Sequence, residues 1–261
     1  MNFMERMKFK RTKEYQDYKK ALENNKKDIE RFALYYKDTK EKLARLYKAG
    51  DNADKKEIIR LTNDLQRWYY DYQESLLITD FIRPNNKDEI DSRLEIQSSF
   101  AEKLTNIVGS DSNLRFHGTP VYYAKEIIKS NSISSTADRY NGYTNSSDET
   151  GFISASTINS INRTIDYFTD FSSYRRCLPS GVLFVLNEKE GDFELRQRDE
   201  MQKVNFKENP EQLVGIVCTD EVKDMAINWC KEYNMDDSKV FSYNEFLEYI
   251  KNNNIEHNKT I

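Results

Sequence analysis

The chain is 261 residues long, 38% hydrophobic and 13% aromatic, which allows one large domain or two modest ones with a real core. No run approaches the ~20 consecutive apolar residues of a membrane span, the opening stretch MNFMERMKFKRTKEY lacks the apolar segment of a secretory signal, and the three cysteines, Cys177, Cys218 and Cys230, show no C-x-x-C spacing. The expectation is a soluble protein of a reducing compartment, cytoplasmic or delivered into a host cytosol by a non-Sec route, with neither a disulfide framework nor a zinc site.

The net charge of −4 hides an asymmetry. Residues 1–50 hold 15 Lys and Arg against 8 Asp and Glu, a net of +7, which leaves −11 for the other 211. A basic arm suits nucleic acid, an acidic membrane surface or an acidic protein partner; it equally suits a solvated helix with interleaved charges. From Thr12 to Ala49 neither Pro nor Gly interrupts the pattern, and Tyr15, Tyr18, Leu22, Ile29, Phe32, Leu34, Tyr35, Leu43 and Leu46 recur at helical spacing. One long helix, or two, is expected. Gly50 is a plausible stop, and Asp51 to Asp54 offer an N-cap for a second helix with Ile58, Ile59, Leu61, Leu65, Trp68, Tyr69, Tyr72 and Leu76 on its apolar face. Pro84 ends that region, and a third helix over 87–108 leads to the turn cluster Gly109-Ser110-Asp111-Ser112.

Beyond this cluster the period changes. Leu114-Arg115-Phe116 begins a strand, 120–129 reads as a helix, 130–149 as a polar loop, 152–155 as a short strand and 158–168 as a helix. The runs 181–186, 200–206 and 213–218 have the length and the β-branched or aromatic content of strands. A helix over 221–233, a short strand over 239–241 and a helix over 243–251 complete the chain. The predicted class is α+β: an all-helical region, 1–110, then a mixed domain, 111–261, with no internal repeat.

Several chemistries are unsupported. The chain has no G-x-x-x-x-G-K-[ST], no G-x-G-x-x-G after a strand, no G-x-S-x-G and no H-E-x-x-H. With His257 in a polar tail, His117 is the one histidine well placed for a site, and no metal is expected. His117 ends a strand beside Gly118, where backbone can approach a ligand closely, and Thr119, which can cap the following helix. It reads as well as a packed histidine. Ser154 and Ser156, two residues apart at a strand end, share one face; Ser156 is as simply an N-cap and Ser154 an ordinary strand residue. Glu200 stands at the junction of a charged loop and an apolar strand, where a carboxylate can face a cleft or merely the solvent.

The order of these three stretches, R-F-H-G-T, then G-F-I-S-A-S, then D-E-M-Q-K-V, resembles the ADP-ribosyltransferase superfamily of diphtheria-toxin-like, cholera-toxin-like and C3-like enzymes. The resemblance covers about residues 113–242 and none of the first hundred. It implies a split β-sheet core with flanking helices and a mono-ADP-ribosyltransferase of toxin or effector type. NAD would be its substrate and a protein its most favoured target, a nucleic acid being the other. His117-Gly118-Thr119 resembles the branch that grips NAD with His, and Ser154-Ala155-Ser156 the Ser-Thr-Ser of the branch that uses Arg, so the chain is a hybrid. Arg115, on the same face as His117, competes for the first position. Glu200 would be catalytic, Ser154 would brace it and His117 would hold the adenosine-side ribose, with Gly118, Thr119 and Ser156 nearby. Two residues before Glu200, where arginine-modifying members carry Glu, stands Arg198; arginine is therefore not the favoured acceptor, although a bulge would put Gln197 there instead.

A nicotinamide site needs a flat apolar clamp and cations for the pyrophosphate. Tyr167, Phe168 and Phe171 followed by Arg175 are candidates, with Ile161, Ile165 and Phe168 equally the buried face of a helix. Tyr140 and Tyr143 are candidate cleft covers or loop anchors. Alternatives within the resemblance are an NAD-glycohydrolase, an RNA 2′-phosphotransferase-like enzyme, against which a lone site histidine argues, and a degenerate fold used only for binding. The helical region is expected to dock a target or regulator, or to meet an acidic membrane surface.

Overall fold

The structure, a computed structural model, describes residues 10, 12–84, 86–110, 112–134, 152–169, 177–188, 193–195 and 199–253. It is mixed α and β, with an N-terminal helical region and small sheets. The chain divides into two compact units, Met1–Pro84 with Thr136–Thr150, and Asn85–Ser135 with Gly151–Ile261.

In the first unit α1 (Lys13–Lys48) is a single helix of 36 residues, opened by the Thr12 hydroxyl accepting from the Tyr15 amide. Gly50, at φ +57°, makes the left-handed turn that a side chain would resist. Asp54 caps α2 (Lys55–Thr79) by accepting from the amides of Lys56 and Glu57. The apolar faces expected from spacing are only partly buried. The seam is made of Ala21, Asn25, Thr39 and Leu43 on α1 and of Leu61 and Ser75 on α2, whereas Leu34, Tyr35, Ile59, Tyr69 and Leu76 are exposed. Small and polar side chains let two helices approach, and they can do so because the polar ones find partners: the Asn25 amide donates to the Ser75 carbonyl at 3.2 Å and to the Thr79 hydroxyl at 2.8 Å.

The second unit begins with α3 (Lys87–Val108), capped by Asn86. The division falls before this helix rather than near residue 110, because Ile96, Phe100, Leu104 and Val108 recur every four residues and share one core with the strands. That core joins Leu114 and Phe116 of β1 (Leu114–Thr119), Leu183 and Val185 of β4 (Val182–Asn187) and Val217 of β8 (Leu213–Cys218). Two further helices, α5 (Ile161–Thr169) and α7 (Tyr243–Asn252), add Ile161, Ile165, Phe246 and Ile250. Strand order is β1-β4-β8-β9, antiparallel except for the last pair, with β9 at Val240–Ser242. Val182, Phe184 and Leu186 on the opposite face are as deeply buried, which is why β4 reads as an unbroken apolar run. The helices α4 (Val121–Ser130) and α6 (Asp220–Glu232) pack on each other.

A buried polar knot ties α3 to the sheet. One oxygen of Glu89, 5% exposed, accepts from Arg93 at 3.2 Å, the Ser180 amide at 2.9 Å and the Thr219 hydroxyl at 3.1 Å. Arg93, 2% exposed, also donates to the Leu178 carbonyl. Thr219 is the N-cap of α6, so a carboxylate from α3 stands at that positive helix end.

Four details differ from the sequence reading. Thr119 does not cap α4; Pro120 is the cap residue and no side chain caps the helix. The expected strand over 200–206 is two, β6 (Asp199–Gln202) and β7 (Val204–Asn205). The expected polar loop contains β2 (Ser132–Ile133), paired with β7, and β5 (Phe193–Leu195) pairs with β6; two or three residues are too few to show a period. No helix among the described residues is long and apolar enough to cross a membrane.

Candidate active site

On its side away from β4, β1 makes one antiparallel bridge, in which Phe116 and Ser156 exchange amide-to-carbonyl bonds of 2.9 Å in both directions. Beyond it the two segments part. β1 runs on through His117, while the chain on the other side traces back through Ala155 to Ser154, the last residue of β3 (Phe152–Ser154). β3 belongs to a second sheet, β3-β6-β5, whose register sets Ser154 opposite Glu200.

His117 Nδ1 lies 2.8 Å from the Ser154 carbonyl oxygen across the gap between the sheets. A carbonyl only accepts, so Nδ1 carries the proton in this contact. His117 is half-buried and Ser154 exposed. One side-chain hydrogen bond and one ladder register thus bring His117, Ser154 and the Glu200 backbone, from three distant stretches of sequence, into one corner.

The other candidates divide. Arg115, 8% exposed, pairs with the Glu188 carboxylate and donates to the carbonyls of Leu114 at 3.0 Å and Ser112 at 3.3 Å, so its guanidinium is held at the start of β1. Gly118 is small because α5 crosses there: a Cβ would stand 2.7 Å from Thr164 Cγ2 and 2.9 Å from the Thr164 carbonyl oxygen. Thr119 is buried. The Ser156 hydroxyl bonds the Thr164 hydroxyl rather than capping a helix; Thr157 and Ser160 form the capping box instead. Tyr167 and Phe168 belong to α5. Phe171, Arg175, Gln197, Arg198, Tyr140 and Tyr143 lie outside the described residues.

Two residues that the sequence reading passed over shape this corner. Thr164 receives both Gly118 and Ser156, and its signal was a glycine inside a strand, which marks a close approach. Glu188 holds Arg115, and its signal was a carboxylate two residues after the apolar run that pairs with R-F-H. Burial pushes the Cys218 thiol up and the Cys230 thiol to about 12, so neither is a thiolate near neutrality. Among the described residues no group of three or more His, Cys, Asp or Glu side chains is placed to hold a metal ion.

No family model, curated protein or solved structure matches this chain.

Proposed function

We propose that the chain is an NAD-dependent mono-ADP-ribosyltransferase of toxin or effector type, whose second unit carries the chemistry. The observation that supports this reading is the junction of His117, Ser154 and Glu200 through the 2.8 Å bond and the β3–β6 register. In the reaction the bond between nicotinamide and the ribose carbon breaks, the electron pair leaves with nicotinamide, and the carbon becomes cationic. A Glu200 carboxylate beside that carbon would stabilise the charge before an acceptor nucleophile attacks and gives up its proton. His117 would hold the adenosine-side ribose. Ser154 orients the imidazole through its carbonyl and stands beside the carboxylate-bearing residue. A protein is the favoured acceptor, and the Arg198 position weighs against arginine as the side chain modified.

The test is transfer of label from NAD to a cell lysate. Wild type should label a target and release nicotinamide, and Glu200→Ala should lower the rate by ~10²–10³. Wild type inert toward NAD, or Glu200→Ala indistinguishable from it, removes the reading; nicotinamide release without a labelled acceptor converts it to a glycohydrolase. A second reading, a transferase-like fold used only for binding, is favoured by the engagement of Arg115 with Glu188 and of Ser156 with Thr164, which commits two expected cofactor contacts to structure. Calorimetric titration with NAD separates the two, since the binding module gives no heat.

A further inference from the structure

The hairpin of α1 and α2 carries a surface that the transferase reading does not use. Beside the seam that closes it, a second line repeats every seven residues on each helix: the apolar Leu22, Ile29 and Tyr36 on α1, and on α2 Tyr69 and Leu76, with the polar Thr62 one repeat before them. Tyr36 and Tyr69 meet with ring centroids 5.8 Å apart. With Asn25 bonded to Ser75 and Thr79, this fixes an antiparallel register in which Ile29 and Tyr36 run beside Leu76 and Tyr69 as walls of one groove. Tyr69 and Leu76 are 43% and 39% exposed, and the other four are half-buried. Trp68 packs on Phe32 and Tyr35 instead, with ring centroids 6.1 and 4.9 Å away.

Apolar residues at seven-residue spacing, three on one wall and two on the other, are the pattern that a third helix lying along a helix pair reads. A bilayer surface would ask for apolar side chains standing outward, and most of these are recessed. The charges select the visitor further. Lys19, Lys26 and Lys40 follow their own seven-residue line along the α1 bank, three residues ahead of the apolar one, with Ala33 in the remaining place and Lys37 close by; all four lysines are exposed. The Lys40 ammonium stands 6.0 Å from the Tyr36 ring centroid, at the lip of the groove. Glu23 and Glu30 lie farther round the helix; Glu23 is taken by Lys27 at 2.7 Å, and Glu30 reaches Lys26 at only 3.9 Å in full solvent, which leaves the bank positive. A second copy of the hairpin would bring another lysine bank with it, so the charge favours an acidic visitor.

We propose that this groove docks an amphipathic α-helix of a protein partner, one with an aliphatic seam at heptad spacing and acidic residues on the flank that faces Lys19, Lys26, Lys37 and Lys40. The surface is independent of NAD chemistry: a chain inert toward NAD would bind the helix equally, so the two proposals fail separately.

The test uses the full chain and two labelled synthetic helices of three heptads, identical in their leucine seam, one flanked by Glu and the other by Lys. Fluorescence anisotropy should show the Glu-flanked helix binding about tenfold more tightly than its twin. Tyr69→Asp with Leu76→Asp should weaken it by a further factor of about ten or more. Lys19→Glu, Lys26→Glu and Lys37→Glu together, all at exposed positions that leave the fold intact by circular dichroism, should reverse the preference. Equal binding of the two helices, no binding of either, or indifference to the lysine variant overturns the proposal. So does flotation of the chain on phosphatidylserine vesicles that Tyr69→Asp abolishes while neither helix binds. Concentration-dependent dimerisation that the same substitution abolishes assigns the groove to a second copy and overturns it as well.

Discussion

Gly118→Ala tests how the candidate site is supported. The added methyl would meet two atoms of one residue, Thr164 Cγ2 at 2.7 Å and the Thr164 carbonyl oxygen at 2.9 Å. Ordinary contacts of this kind start near 3.4 Å, so β1 and α5 must separate by several tenths of an ångström. Both elements belong to the core through Phe116, Ile161 and Ile165, and overpacking of that kind costs about 1–3 kcal/mol. Thermal unfolding followed by circular dichroism should show a midpoint lowered by about 2–10 °C. Adding Thr164→Ser deletes the Cγ2 contact, keeps a hydroxyl for Ser156 and leaves the carbonyl where it was. The double variant should therefore recover part of the loss and not all of it. A Gly118→Ala protein that melts with wild type, or complete rescue by Thr164→Ser, refutes the close crossing of strand and helix as the reason for this glycine.

Two further outcomes follow from charged groups. Glu89→Ala leaves Arg93 buried without its carboxylate and should cost about 3–5 kcal/mol by urea unfolding, whereas Glu89→Leu with Arg93→Met, which removes both charges, should cost less than Glu89→Ala alone. Glu245 accepts from the Lys223 ammonium at 2.6 Å and from the Ser242 amide at 2.7 Å, and the Lys223 bond foremost holds its carboxyl below the ordinary 4.5. A carboxyl lowered in the fold stabilises fully above its unfolded value, and that contribution is lost as pH falls through the lowered folded value. Glu245→Gln should thus cost about 0.5–1 kcal/mol at neutral pH, small because the pair is exposed, and the gap to wild type should narrow on acidification below the ordinary 4.5 as pH falls through the lowered folded value; a gap that persists unchanged to the acid end of the titration would contradict the assignment.

The legible parts of the fold were those in which a single local rule acts. Lys87–Val108 announced itself because an Asn cap, a four-residue apolar repeat and a following glycine all agree. The core runs of β4 and β8 were visible because burial on both faces writes an unbroken apolar string. The hairpin seam was hidden for the opposite reason: Asn25, Thr39 and Ser75 look like surface residues, and only the hydrogen bonds of Asn25 across the interface make its burial affordable. Spacing put α3 with the other helices, because amphipathicity states that a face is covered but not by what. At the site, the order R-F-H, S-A-S, D-E-M was readable and the joining of His117 to Ser154 was not, since it depends on two sheets meeting at one bridge. Arg115 and His117 share a strand face in sequence terms, yet Glu188, 73 residues further on, draws the guanidinium to the head of the strand.

The polar knot around Glu89 and Arg93 also sets what this chain can lose or exchange. A cut before Asn85 falls between the two compact units and keeps α3 with the strands it packs on. Cutting at residue 110 is different: it strips Ile96, Phe100, Leu104 and Val108 from Leu114 and Phe116, and takes the carboxylate away from the start of α6. The helix therefore belongs to the core of the second unit, and a fragment begun after it should be less stable than one begun at Asn85.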